Sequence, residues 1–261
     1  MRTPITVFCC FWLAWLALGF TTAVAEQPEK ISVAVYDDAG ATSSKEKLIV
    51  ALGKSDKFQV ERLKAEEIRA GKLQDFRVVM LPGGSSSKQG ATLGAEGREE
   101  IRKFVKGGGG YVGICAGAYL ATNNYDWSLH ILNAKVLDRK HWDRGVADLE
   151  IALPVKGQEL LGVTSDRLTL RYHQGPLLAP AGKEGLPEYR ELASFAAAVA
   201  KNGAPMGVMI GTTAIAAADF GKGRVLCFSP HPELTKDQES LVHRGVEWAA
   251  WKAREPVATK P

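Results

Sequence analysis

The spacing of hydrophobic positions changes along this chain, and each change marks an element. "ISVAVY" (31–36) and "FQVERL" (58–63) are short β-branched runs that read as strands, and "FRVVMLPGG" (76–84) is a buried strand entering a Gly-rich turn. Helix candidates lie around 43–53, which Gly53 would end, and in "KAEEIRAG" (64–71), closed by Gly71. "GAEGREEIRKFVKGGGG" (94–110) has an amphipathic period and stops on four glycines. "YVGI" follows as a strand and "AGAYLAT" as a helix start. The second half is richer in strands, with "AKVLD", "DLEIALPV", "LTLRYH", "TAIAAADF" and "RVLCFS" before a closing helix, "DQESLVHRGVEWAAW" (237–251). Strands and helices alternating at this spacing predict βαβ units in one three-layer α/β domain with a mostly parallel central sheet.

The first 25 residues stand outside that pattern. Arg2, the apolar run "VFCCFWLAWLALGF" (7–20) and the small residues "AVA" (23–25) form a secretory signal, with cleavage expected after Ala25. The protein is therefore expected in the periplasm or outside the cell, with no stable membrane span after cleavage. Residues 26–254 are expected to form the single domain and 255–261 a disordered tail. Lys and Arg number 33 against 29 Asp and Glu, and no basic run interleaves with aromatics, so nucleic acid is not an expected partner. Removing the signal takes Cys9 and Cys10 with it and leaves Cys115 and Cys227. Two cysteines make no disulfide framework, so the fold must rest on its hydrophobic core, although one Cys115–Cys227 bridge stays conceivable. Oligomeric state is open.

"YVGICAGAYLAT" (111–122) carries the candidate chemistry. Gly113 and Gly117 flank Cys115 as glycines flank the nucleophile of a strand-to-helix elbow, where small neighbours permit a sharp turn that lifts the side chain out of the sheet. The N–H of Ala116 would face a developing oxyanion, helped by the positive end of the following helix. A plain alternative is an inert core cysteine on a Gly-rich bend. A thiol nucleophile needs a base, and "SPHPE" (229–233) offers His231 with Glu233 two residues on. Proline after His231 favours extended backbone, which would put both side chains on one side and let the carboxylate orient the imidazole. "LPGGSS" (81–86) places Gly83 and Gly84 where backbone N–H groups approach a ligand. "LRYHQGPLL" (170–178) ends a strand in His173 and Gln174, candidates to read polar substrate groups. The runs "NNYDWSLH" (123–130) and "RKHWDRG" (139–145) read as loops around the site mouth. His130, His141 and Asp143 lack a metal-ligand spacing, and no metal or cofactor is expected.

In this order, "LPGG", "GICAGAY" and "SPHPE" resemble the class I glutamine amidotransferase-like superfamily. Within it, the chain is similar to biotin-protein ligase N-terminal-domain-like proteins over about residues 30–252. The resemblance implies a flavodoxin-like fold with Cys115, His231 and Glu233 in the triad positions.

Two departures shape the expected function. Glutaminases of the superfamily usually carry Gln four residues after the nucleophile, and here that residue is Tyr119. Biotin ligation needs a Gly/Arg-rich adenylate loop, whereas "GKGR" (221–224) reads as a turn between strands, so a biotin ligase is not implied. The sequence thus points to an exported cysteine amidase or hydrolase acting on a small-molecule or peptide-like amide. The alternative is a non-catalytic binding or sensing module that keeps the pocket, with Tyr119 filling the place of a substrate amide.

Overall fold

A computed structural model describes residues 29–250; the expected signal peptide, its cysteines and the C-terminal tail lie outside the described residues. The first half builds β1 (Ile31–Tyr36), α1 (Ser44–Gly53), β2 (Phe58–Leu63), α2 (Ala65–Arg69), β3 (Val78–Leu81), α3 (Ser86–Lys106), β4 (Gly110–Ile114) and α4 (Ala116–Ala121). The second half adds β5 (Ala134–Leu137), β6 (Val146–Ala152), α5 (Val155–Leu161), β7 (Arg167–His173), β8 (Leu177–Pro180), β9 (Arg190–Phe195), β10 (Thr213–Phe220), β11 (Gly223–Phe228) and α6 (Glu239–Ala250). The main sheet runs β2-β1-β3-β4-β11-β10-β9-β6-β7. Its first five strands are parallel and the rest join antiparallel. The architecture is α/β and flavodoxin-like, and the parallel block has the doubly wound order of that fold.

Alternation along the central strands divides the core between the two faces. Val33, Val35, Val112, Ile114, Leu226 and Phe228 pack on one side with α1 and α6. Ala34, Tyr36, Tyr111, Val225 and Cys227 pack on the other with α2, α3 and α4. Both faces are apolar because helices cover both, which is why these strands read as continuous hydrophobic runs. In α6 the buried residues Leu241, Val242, Gly245, Val246 and Ala249 form the stripe that the 3.6 period requires.

Four elements differ from expectation. α3 begins at Ser86, not near Gly94, and Gly94 survives inside it as a kink with φ 67°. A Cβ at Gly90 would lie 2.6 Å from the Trp127 carbonyl oxygen, so the glycine that weakened the helical pattern is there for close packing. α5, β8 and β9 were not anticipated. β9 is held chiefly by pairing with β10, a long-range contact with little local signature.

Candidate functional site

The parallel strands β1, β3, β4 and β11 all end on one edge of the sheet, and their following loops build the site. Cys115 sits directly after β4 with φ 50° and ψ −98°, a conformation that costs a non-glycine residue strain and is held by its surroundings. Its N–H donates to the Phe228 carbonyl at 2.8 Å, and the Tyr111 hydroxyl donates to the Gly117 carbonyl at 2.7 Å. A Cβ at Gly113 would lie 2.6 Å from the Gly117 backbone, and one at Gly117 would lie 2.1 Å from the Leu81 carbonyl oxygen. Both glycines of the elbow are thus demanded by close backbone approach.

His231 reaches the same place from the end of β11. Its N–H donates to the Arg171 carbonyl at 2.7 Å, and Thr235 Oγ1 donates to the His231 carbonyl at 2.8 Å while accepting from the Arg171 N–H at 2.9 Å. His231 Nδ1 lies 2.7 Å from Glu233 Oε1, and both residues are buried. The pair forms as the sequence suggests but by another route. Glu233 lies in a short 3-10 turn (Pro232–Leu234), so a tight turn rather than extended backbone brings the carboxylate to the ring.

Burial by itself would push the His231 imidazole down. The facing Cys115 sulfur and the Glu233 carboxylate outweigh it and push the imidazole up to about 10. Nε2 is buried without a hydrogen-bond partner, and the Cys115 thiol donates instead to the His173 carbonyl at 3.4 Å. Sulfur and imidazole nevertheless face each other closely enough for Cys115 to push the ring up.

The two glycines after β3 play different parts. Gly83 is buried beneath His231, where an added Cβ would lie 2.6 Å from ring Cε1, and its carbonyl accepts from Thr42 N–H and Oγ1, each at 3.1 Å. Gly84 is exposed at the cavity wall with φ 146°, and its bridge to Ala41 is closed by the N–H groups of Thr42 and Ser85 rather than its own. Ala116 occupies the first position of α4, where a backbone N–H has no intrahelical acceptor.

A cavity of about 950 Å³ opens above Cys115. Tyr119, His173, Gln174, His231 and Gly84 line it. The Tyr119 hydroxyl donates to the Gln174 carbonyl at 3.3 Å; Gln174, at φ 60°, donates its side-chain amide to Asp143. The His173 ring is 6.2 Å from that of His231, and burial together with the charges of His231 and Arg171 pushes it below its ordinary value. The two loops expected at the mouth do stand there, contributing Tyr125, Trp127, Arg139 and Trp142. Sequence reasoning missed the opposite wall, Thr42–Lys47 and Ser85–Ser87, whose only signal is hydroxyl-rich residues at two helix starts. Cys115 and Cys227 are free thiols on different core clusters. Among the described residues no group of three His, Cys, Asp or Glu side chains is placed to hold a metal, and no helix is long and apolar enough to cross a membrane.

This arrangement defines a class I glutamine amidotransferase-like fold. The chain superposes on a chain of PurLQS from Thermotoga maritima with a TM-score of 0.62 at 16% identity, covering 84% of this chain and 99% of that one. A protein provisionally described as a GMP synthase subunit from Thermoplasma acidophilum gives 0.57 at 14% identity, covering 86% and 96%. A β-galactosidase from Bacillus circulans sp. alkalophilus gives 0.52 at 15% identity, covering 84% of this chain but 30% of that one. Within the class, residues 31–143 match the family described as "Biotin-protein ligase, N terminal", in line with the resemblance drawn from the motifs. No curated protein matches the sequence.

Proposed function

We propose that this protein is an exported cysteine hydrolase of amide or related acyl bonds. The observation that carries the reading is the strained Cys115 at the β4–α4 turn, facing an imidazole that a buried carboxylate holds from behind. With its proton held on Nε2 of His231, Cys115 attacks the substrate carbonyl carbon as a thiolate, while the Ala116 and Gly84 N–H groups stabilise the oxyanion. The C–N bond breaks as Nε2 protonates the departing amine. Water, deprotonated by the same nitrogen, then hydrolyses the thioester and frees the thiol. Glu233 orients the ring and stabilises its charge without moving a proton itself.

One observation favours a binding or sensing module instead: the thiol rests on the His173 carbonyl rather than on the imidazole. Alkylation of Cys115 in wild type and His231→Ala separates the two readings without knowledge of the substrate. A hydrolase loses Cys115 reactivity with the histidine. A binding module gives superimposable pH profiles.

A further inference from the structure

The cavity wall carries chemistry that the triad does not use. On one side Tyr125 and Trp127 stack with ring centroids 4.3 Å apart and planes 14° from parallel. Tyr119 stands 6.4 Å from Tyr125, and Trp142, on the same lining, leaves 56% of its surface exposed. So much aromatic surface facing one cavity, with an uncovered tryptophan at its rim, is what a planar ligand covers.

Charge on the lining is one-sided. Arg139 is on the lining with its guanidinium 4.4 Å over the Tyr125 ring, and Lys47 lines the same cavity. Among the described residues Glu46 is the only carboxylate on the lining, and Arg62 already holds both its oxygens, at 2.8 and 2.5 Å. The Ser85–Ser87 hydroxyls lie on the same wall as Lys47. Free glutamine brings a carboxylate but no ring, and would fill little of 950 Å³.

We infer that the occupant is an amide bearing a planar ring and a carboxylate. The ring lies against the aromatic lining at the exposed Trp142, the carboxylate meets Arg139, and the amide carbonyl sits over Cys115. This assignment rests on the reading of Cys115 as the group that meets substrate. It makes Arg139 and Trp142 specificity-determining residues.

Four chloroacetyl probes test it on the purified protein: chloroacetyl-phenylalanine, chloroacetyl-phenylalaninamide, chloroacetyl-alanine and chloroacetamide. In each the Cys115 sulfur displaces chloride, so intact mass reports occupancy without turnover, and each rate is divided by that probe's rate with glutathione. Stacking and charge contributions of the usual size predict that chloroacetyl-phenylalanine reacts faster than chloroacetamide by about tenfold or more, with the other two between. Trp142→Ala should remove the advantage of the ring. Arg139→Met should remove that of the carboxylate, and Arg139→Lys should keep part of it. Equal normalised rates for all four probes, or a preference for the amide over the acid, would overturn the assignment. His231→Ala separates this from the catalytic reading. Selectivity that persists with no His231 dependence removes the hydrolase and keeps the ligand class. Flat selectivity with strong His231 dependence removes the ligand class and keeps the triad.

Discussion

Nδ1 of His231 and Oε1 of Glu233 lie 2.7 Å apart with both side chains buried, and the opposite face of the same ring looks toward Cys115. Because the folded imidazole is pushed from 6.5 up to about 10, it keeps a proton that the unfolded chain releases. The stabilisation this gives is fully present below pH 6.5 and is lost as pH rises toward 10. Urea denaturation at pH 6, 8 and 10 should therefore show stability falling across that window, and falling less in Cys115→Ala and Glu233→Gln, which each remove a group that pushes the ring up. NMR should find the wild-type ring still protonated at pH 8. A ring that titrates near its ordinary value would show that neither partner controls it.

The two thiols of the described chain should differ in reactivity. Cys115 borders the cavity, whereas Cys227 is fully buried under α3 and α4, and burial pushes its thiol well up. Iodoacetamide at pH 6 should therefore modify Cys115 and leave Cys227 intact in the native protein, with mass mapping as the readout. Comparable labelling of both would contradict the elbow reading.

The fold was legible in the sequence wherever period and burial agree. β1, β2 and β10 have the predicted limits because their runs are bounded by turn residues. β9 was not legible, because its existence depends on β10 beside it. The site divides in the same way. The elbow was readable because Gly113 and Gly117 record a local steric demand, and His231–Glu233 because they are two residues apart. The loops that bear Tyr125, Trp127, Arg139 and Trp142 were readable as the site mouth, but the Thr42–Lys47 segment was not, since only folding brings it to the same cavity.

Tyr119 bears on what the pocket accepts. Its hydroxyl is already given to the Gln174 carbonyl, and a phenol cannot present the paired donor and acceptor of a carboxamide. Ammonia release from free glutamine should stay at the background of a Cys115→Ser variant, measured with a coupled dehydrogenase assay. Tyr119→Phe deletes one 3.3 Å hydrogen bond and should cost about 1 kcal/mol or less in stability, read from denaturant midpoints. Robust glutaminase activity would show that Tyr119 does not set selectivity.

Gly83 and Gly84 are neighbours, yet replacing each by alanine should fail in a different way. At Gly83 the backbone is ordinary, and the obstacle to a methyl group is the His231 ring, with Cε1 2.6 Å and Nδ1 3.4 Å away. The ring is a side chain and can tilt, so Gly83→Ala should remain folded with a loss of about 1–3 kcal/mol, typical of inserting a methyl group into packed surroundings. That tilt pulls Nδ1 from Glu233 and turns Nε2 away from Cys115, so Cys115 alkylation should lose most of its dependence on the histidine. At Gly84 the obstacles are backbone: φ is 146°, and a Cβ would lie 2.0 Å from the Gly40 carbonyl oxygen. Neither can relax without opening the Ala41–Gly84 bridge and shifting the start of α3. Gly84→Ala should therefore lower stability more than Gly83→Ala while affecting the His231–Glu233 pair less. Denaturant midpoints and the His231 NMR titration, measured on both variants, give the two readouts. A Gly83→Ala protein with an unshifted His231 titration would mean that the glycine is not what seats the ring.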